Sequence, residues 1–110
     1  MSFEEADQGT HVVLTPEGKF NLVSAPPFTA RVDGLVAAGK VRLVVDLHAV
    51  DFIDSSGLGA LIGGLKSARQ HDGDLRIAAA GSQVQAVLKL TNLDRILTPY
   101  ATLDEAIHDW

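Results

Sequence analysis

A chain of 110 residues, 46% of them apolar, is long enough to bury one compact core and too short for two. It has no cysteine, which excludes disulfides, thiolate metal ligands, iron–sulfur clusters and a cysteine nucleophile. Its net charge of −5, without any cluster of lysine and arginine, lacks the footprint that a phosphate backbone needs and speaks against nucleic acid as a direct partner.

The acidic start Phe3-Glu4-Glu5-Ala6-Asp7 is unlike a basic signal peptide, and no apolar run approaches the roughly eighteen residues of a membrane span. A cytoplasmic domain without membrane contact is therefore expected. In chain order, short strands are predicted at Phe3 to Ala6 and His11 to Thr15, joined by a polar turn at Gln8-Gly9. Lys19 to Val23 then leads to Ser24-Ala25-Pro26-Pro27, where a small polar cap precedes prolines tolerated in a first helical turn. The helix that follows should bury Phe28, Val32, Leu35 and Val36 and stop at Gly39.

Val41 to Leu47, with the apolar run Leu43-Val44-Val45, reads as a central strand covered on both faces. A loop from His48 to Asp54 opens a second helix over Ser56 to Gln70, whose inward stripe is Leu58, Leu61, Ile62, Leu65 and Ala68, and His71-Asp72-Gly73 ends it. Leu75 to Ala78 reads as a strand. Ser82-Gln83-Val84-Gln85 is a capping-box pattern that introduces a helix burying Val84, Val87 and Leu88, broken at Thr91-Asn92. Asp94 to Thr98 is predicted as a short strand interrupted by Pro99. Thr102-Leu103-Asp104-Glu105 is a second capping box, and the final helix turns Leu103, Ala106, Ile107 and Trp110 inward. The order ββαβαβαβα argues for an α/β domain with a mixed, mostly parallel sheet.

The chemistry concentrates in Asp51-Phe52-Ile53-Asp54-Ser55-Ser56-Gly57-Leu58-Gly59. Helix N-termini present unpaired N–H groups and partial positive charge, so Asp54 or Ser55 can cap, and an anion on a serine there is tolerated. Ordinary capping accounts for the same residues. Gly57, Gly59, Gly63 and Gly64 share that one helix, where each costs roughly 1 kcal/mol relative to alanine, so something should compensate. Either Ser56, Gly59 and Gly63 form a flat face that a partner backbone can approach, or the helix packs closely within its own domain.

Val44-Val45-Asp46-Leu47 followed by Val50-Asp51-Phe52-Ile53-Asp54-Ser55-Ser56-Gly57-Leu58-Gly59 resembles the STAS domain of bacterial anti-sigma factor antagonists. The similarity extends to Gly18–Pro26, Leu75–Ile77 and Leu88–Leu97. It implies a single STAS-like domain over residues 1–110, with about four to five strands in a mixed, mostly parallel central sheet and about four helices. It also implies that Ser55, with Ser56 as the second choice, is phosphorylated by an anti-sigma factor that is itself a serine kinase, and dephosphorylated by a PP2C-type phosphatase. The unphosphorylated form would bind the anti-sigma factor and release the sigma factor.

Asn21, Ser24, Asp54, Ser55, Ser56, Gly57, Gly59, Gly63 and Lys66 are the expected partner-binding residues. Gly18-Lys19-Phe20-Asn21 departs from the family's usual Gly-Glu-aliphatic-Asp segment and replaces two acidic positions in the region used for partner binding. An unphosphorylated STAS subunit of a larger assembly, such as a lipid-transport complex or a sensory scaffold, is the competing reading.

Gly59 to Ser67 approaches a phosphate-binding loop, but Leu65 stands where a lysine should follow glycine. His11, His48, His71 and His108 have no metal-ligand spacing to one another. Ser55 lacks the Gly-x-Ser-x-Gly context of a hydrolase nucleophile, so neither catalysis, nor a metal, nor a cofactor is expected. Lys66, Arg69 and Gln70 read as a solvated helix face, and Trp110 as a plug closing the last helix.

Overall fold

The computed structural model describes residues 3–110; Met1 and Ser2, included in the single-domain reading of 1–110, lie outside the described residues. Among the described residues, seven strands and four helices follow one another as β1 (Phe3–Asp7), β2 (Val12–Pro16), β3 (Gly18–Phe20), α1 (Ala25–Ala37), β4 (Arg42–Asp46), β5 (Val50–Ile53), α2 (Ser55–Gln70), β6 (Asp74–Ala78), α3 (Ser82–Leu90), β7 (Pro99–Tyr100) and α4 (Leu103–Ala106). A 3-10 turn, Leu93–Arg95, separates α3 from β7. The main sheet runs β1-β2-β4-β6-β7 and is parallel except for the antiparallel β1–β2 pair. The fold is thus the α/β, mostly parallel arrangement that the alternation of elements implies.

The apolar run of β4 places it at the sheet centre, as expected. Alternate residues of a strand face opposite sides. Accordingly, Leu43 and Val45 enter the main core with Phe28, Leu61 and Ile77, while Val44 joins a smaller cluster with Ala78 and Ala106 on the other face. Helix α1 buries Phe28, Val32, Leu35 and Val36, the stripe its periodicity predicts. It stops at Gly39, whose φ of +84° suits a residue without Cβ. The Gly39 N–H donates to Val36 O at 3.0 Å and the Lys40 N–H to Leu35 O at 2.9 Å, which satisfies carbonyls the helix end would otherwise orphan.

Three local expectations are corrected. The segments expected as a lead-in and a loop contain β3 and β5, which pair in parallel as a separate two-stranded sheet. They are only three and four residues long, so neither carries a readable alternation, and their partners lie some thirty positions apart. The strand expected over Asp94 to Thr98 is instead the 3-10 turn, because Asn92 turns left-handed (φ 59°) and the Ile96 and Leu97 N–H groups both donate to Leu93 O. Pro99, expected to interrupt a strand, begins β7 at the sheet edge, where its missing N–H costs no ladder bond.

The capping expectations divide. Thr102 caps α4 by accepting the Glu105 N–H at 3.2 Å. Ser82 is the first residue of α3 rather than its cap, the cap position being Gly81, and Gln85 reaches back to donate to Ala80 O at 2.8 Å.

The last helix is held by one arginine. Arg76, on β6, donates to Ala106 O at 2.7 Å, pairs with Asp109 and Asp74, and lies over the Trp110 ring at 4.1 Å from its centroid. The Arg76 guanidinium holds the Asp109 carboxyl below its ordinary pKa of 3.8. Because the folded value is depressed, this pairing stabilises fully above pH 3.8 and is lost as pH falls below it. Arg76→Met keeps the apolar stem and removes the donors and the charge. It is expected to cost about 1–2 kcal/mol, to shift the fluorescence of Trp110 toward that of exposed indole, and to remove the acid-dependent part of that shift. Trp110 is the single tryptophan of the chain, so the signal reports the surroundings of that ring: Arg76, the His11 ring at 6.3 Å between centroids, and the small cluster of Val44, Ala78 and Ala106.

Candidate functional site

The site forms where β5 turns into α2. Asp54 is the N-cap, with extended backbone (φ −114°, ψ −173°), and its Oδ1 accepts the Gly57 N–H at 3.0 Å. Its main chain is tied at both ends, because the Asp54 N–H donates to Phe20 O at 3.3 Å and Asp54 O accepts the Leu58 N–H at 3.0 Å. Ser55 is thereby the first residue of the helix and is exposed, whereas Ser56 is half-buried. A hydroxyl in that place lies beside the free N–H groups of the first turn, where the helix dipole favours negative charge. Asp54, the adjacent residue, already makes the immediate surroundings of Ser55 acidic, and Asp51 is exposed earlier on β5.

The glycines of α2 have different reasons to be glycine. A Cβ on Gly57 would stand 2.2 Å from Phe20 O and 2.7 Å from Phe20 Cδ1, so here the helix touches the backbone of β3. Gly64 is likewise packed inside, with a virtual Cβ 2.9 Å from Leu75 Cδ1. Gly59 and Gly63 meet nothing within 4 Å. Close packing within the domain thus accounts for Gly57 and Gly64, while Gly59 and Gly63 face open space.

Ser56, Gly59 and Gly63 form one wall of an open groove whose other wall is α1, through Ala25, Thr29 and Asp33. Leu22, 71% exposed, stands at its mouth beside Val23, 75% exposed, in the loop that enters α1. A helix position repeats its direction after about 3.6 residues. Lys66, exposed and three residues beyond Gly63, continues the same face toward the helix end.

Of the expected partner-binding residues, Ser55, Ser56, Gly59, Gly63 and Lys66 share this exposed side of α2, and Asp54 borders it. Gly57 and Ser24 lie beneath it. Ser24 is 2% exposed, and its hydroxyl donates to Lys19 O at 2.6 Å, so it braces the chain between β3 and α1 and offers no surface to a partner. Ser24 holds the N-cap position of α1, as expected, but its side chain makes no capping hydrogen bond, and Asn21 closes the preceding turn: its side-chain oxygen accepts from Val23 N–H at 3.1 Å, and its carbonyl accepts from Ala25 N–H at 2.9 Å. Lys19 is exposed on β3, opposite Phe52 of β5. The glycine run that approaches a phosphate loop is continuous helix, within α2.

Sequence reasoning did not single out Leu22, Val23 and Gln83. The apolar pair could have been noticed as two large residues in a segment assigned to no element. Gln83 gave no local signal, since its side chain acts on a residue thirty positions away.

Comparison with known proteins gives a consistent result. The model of the STAS domain family matches residues 3–106. A protein of Thermotoga maritima named as an anti-sigma factor antagonist is 34% identical over 99 residues, which cover 89% of this chain and 88% of the relative. The anti-sigma-F factor antagonist RsfB of Mycobacterium tuberculosis is 29% identical over 102 residues, covering 93% of this chain and 83% of that protein. Among solved structures, an anti-sigma factor antagonist from Mycobacterium paratuberculosis superposes with a TM-score of 0.86 at 29% identity, over 97% of this chain and 91% of that one.

Proposed function

Since the chain belongs to the STAS domain family, we propose that it is an anti-sigma factor antagonist: a cytoplasmic binding switch rather than an enzyme. In its unphosphorylated form it captures an anti-sigma factor and frees the sigma factor, and phosphate on Ser55 ends the capture. The anti-sigma factor is the serine kinase that adds the phosphate, and a PP2C-type phosphatase removes it.

One observation carries this reading. Ser55 is exposed at the first position of α2, and the face behind it is made of small residues bordered by Leu22 and Val23. An apolar, low surface invites a partner's backbone, while a phosphate at its edge adds about −1.5 to −2 charge without disturbing the domain that carries it. Beside Asp51 and Asp54 the added charge makes a strongly anionic rim, which repels a surface shaped for a neutral serine. Ser55 is favoured over Ser56 because Ser56 is half-buried in the groove wall.

Phosphosite mapping by mass spectrometry on the protein isolated from its own cells, in growth and under stress, tests the switch. Phosphate on Ser55 whose occupancy changes between the two conditions is the expected result. Absence of phosphate from both Ser55 and Ser56 in every condition would overturn it and leave a constitutive STAS binding subunit of a larger assembly.

A further inference from the structure

Among the described residues, strand β5 has one strand neighbour. It pairs with β3, and in a parallel ladder the bonds from Phe20 run to the residues on either side of its partner, as the Asp54 N–H to Phe20 O bond shows. The peptide groups of Ile53 therefore point away from β3, toward α3, which supplies no strand. Ile53 is 1% exposed, so water does not readily replace the missing neighbour, and a buried N–H or C=O without a partner is costly.

Gln83 fills that place. Its Oε1 accepts the Ile53 N–H at 2.9 Å and its Nε2 donates to Ile53 O at 3.0 Å, the pair of bonds a neighbouring strand would make. Gln83 is the second residue of α3, and the helix is anchored by Val84 and Leu88, both buried. The carbonyl held by Gln83 belongs to the peptide bond that leads directly into Asp54, whose side chain caps α2 and whose neighbour is Ser55.

We infer that Gln83 is a positioning residue for the phosphorylation switch: its amide clamps Ile53 and so fixes where the Asp54–Ser55 corner presents the acceptor hydroxyl. The inference rests on the proposed role of Ser55. Its consequence is that α3, remote in sequence from the serine, governs how readily that serine is modified.

Gln83→Met keeps most of the side-chain volume and deletes both hydrogen bonds, and two measurements read the result. Amide hydrogen exchange followed by NMR on the isolated protein compares Gly57 and Leu58 with Val44 and Val45 of the central strand. Selective loss of protection at Gly57 and Leu58, about tenfold beyond any loss in β4, is expected from opening the corner while the core stays closed. Unchanged protection, or an equal fall at all four amides, would overturn the inference, because the clamp would then be idle or merely part of general stability. Phosphate occupancy at Ser55 in the cells of origin, at equal protein level, should fall several-fold in Gln83→Met relative to wild type. Equal occupancy in the two proteins would also overturn it. If the wild-type protein never carries phosphate, the switch reading itself fails, while the exchange experiment still decides whether Gln83 holds the corner.

Discussion

Gly57→Ala should destabilise the protein by about 3 kcal/mol or more, although inside a helix the same change ordinarily stabilises by about 1 kcal/mol. The added methyl would stand 2.2 Å from a backbone oxygen that cannot retreat. Phe20 O is engaged by the Asp54 N–H at 3.3 Å, and the Phe20 ring is 0% exposed and packed edge-on against Phe28 with centroids 4.9 Å apart. Relief therefore requires α2 to move off β3, which would pull the Asp54 cap out of place. Gly63→Ala makes the identical chemical change where nothing lies within 4 Å, and there the ordinary helix gain of up to about 1 kcal/mol is expected. Chemical denaturation of the two variants beside wild type checks both signs. Destabilisation of similar size in both variants would show that the close approach at Gly57 is not what sets its cost.

The Gly63 result bears on function as well as on stability. If a more stable helix is available by adding one methyl, the glycine is retained for something other than folding. The double variant Gly59→Ala/Gly63→Ala is accordingly expected to be more stable than wild type and a poorer binder of the anti-sigma factor.

Ser55→Glu should abolish capture of the anti-sigma factor, with an affinity loss on the order of 100-fold, while Ser55→Ala should retain capture within a few-fold of wild type. A misplaced charge at an interface costs several kcal/mol, and each 1.4 kcal/mol is tenfold in affinity. The same glutamate costs the isolated domain nothing, because an acidic group in the first helical turn is stabilising by roughly 0.3–1 kcal/mol. Calorimetric titration of each variant into the purified anti-sigma factor, together with a thermal melt of each variant alone, separates the two effects. Loss of binding with a melt that is unchanged or raised by a few degrees is the expected pair of results. Equal binding by Ser55→Glu and wild type would count against control by charge at this residue, whatever the state of Ser55 in the cell.

Helices α1 and α2, the central strand β4 and the Asp54 cap are legible because their signals are local. Phe28, Val32, Leu35 and Val36 repeat at helical spacing, Leu43-Val44-Val45 is continuous, and an aspartate before Ser55-Ser56 is ordinary capping chemistry. The motif around Ser55 is legible for the same reason, since its resemblance to a family lies in contiguous residues. Gly39 ends α1 as expected, because a left-handed helix stop is also decided within two or three positions.

What the sequence determined by itself is therefore the α/β class, the main buried stripes and the serine at a helix start. Only the tertiary structure decided that β3 and β5 pair, that Gly57 faces a backbone oxygen while Gly59 and Gly63 face open space, that Ser24 is a buried brace, and that Gln83 completes the edge of β5. The physical reason is common to all four. Propensity, periodicity and capping act through neighbours a few residues away, whereas close approach and the satisfaction of buried backbone groups depend on which distant segment arrives there, and that is settled only when the layers pack.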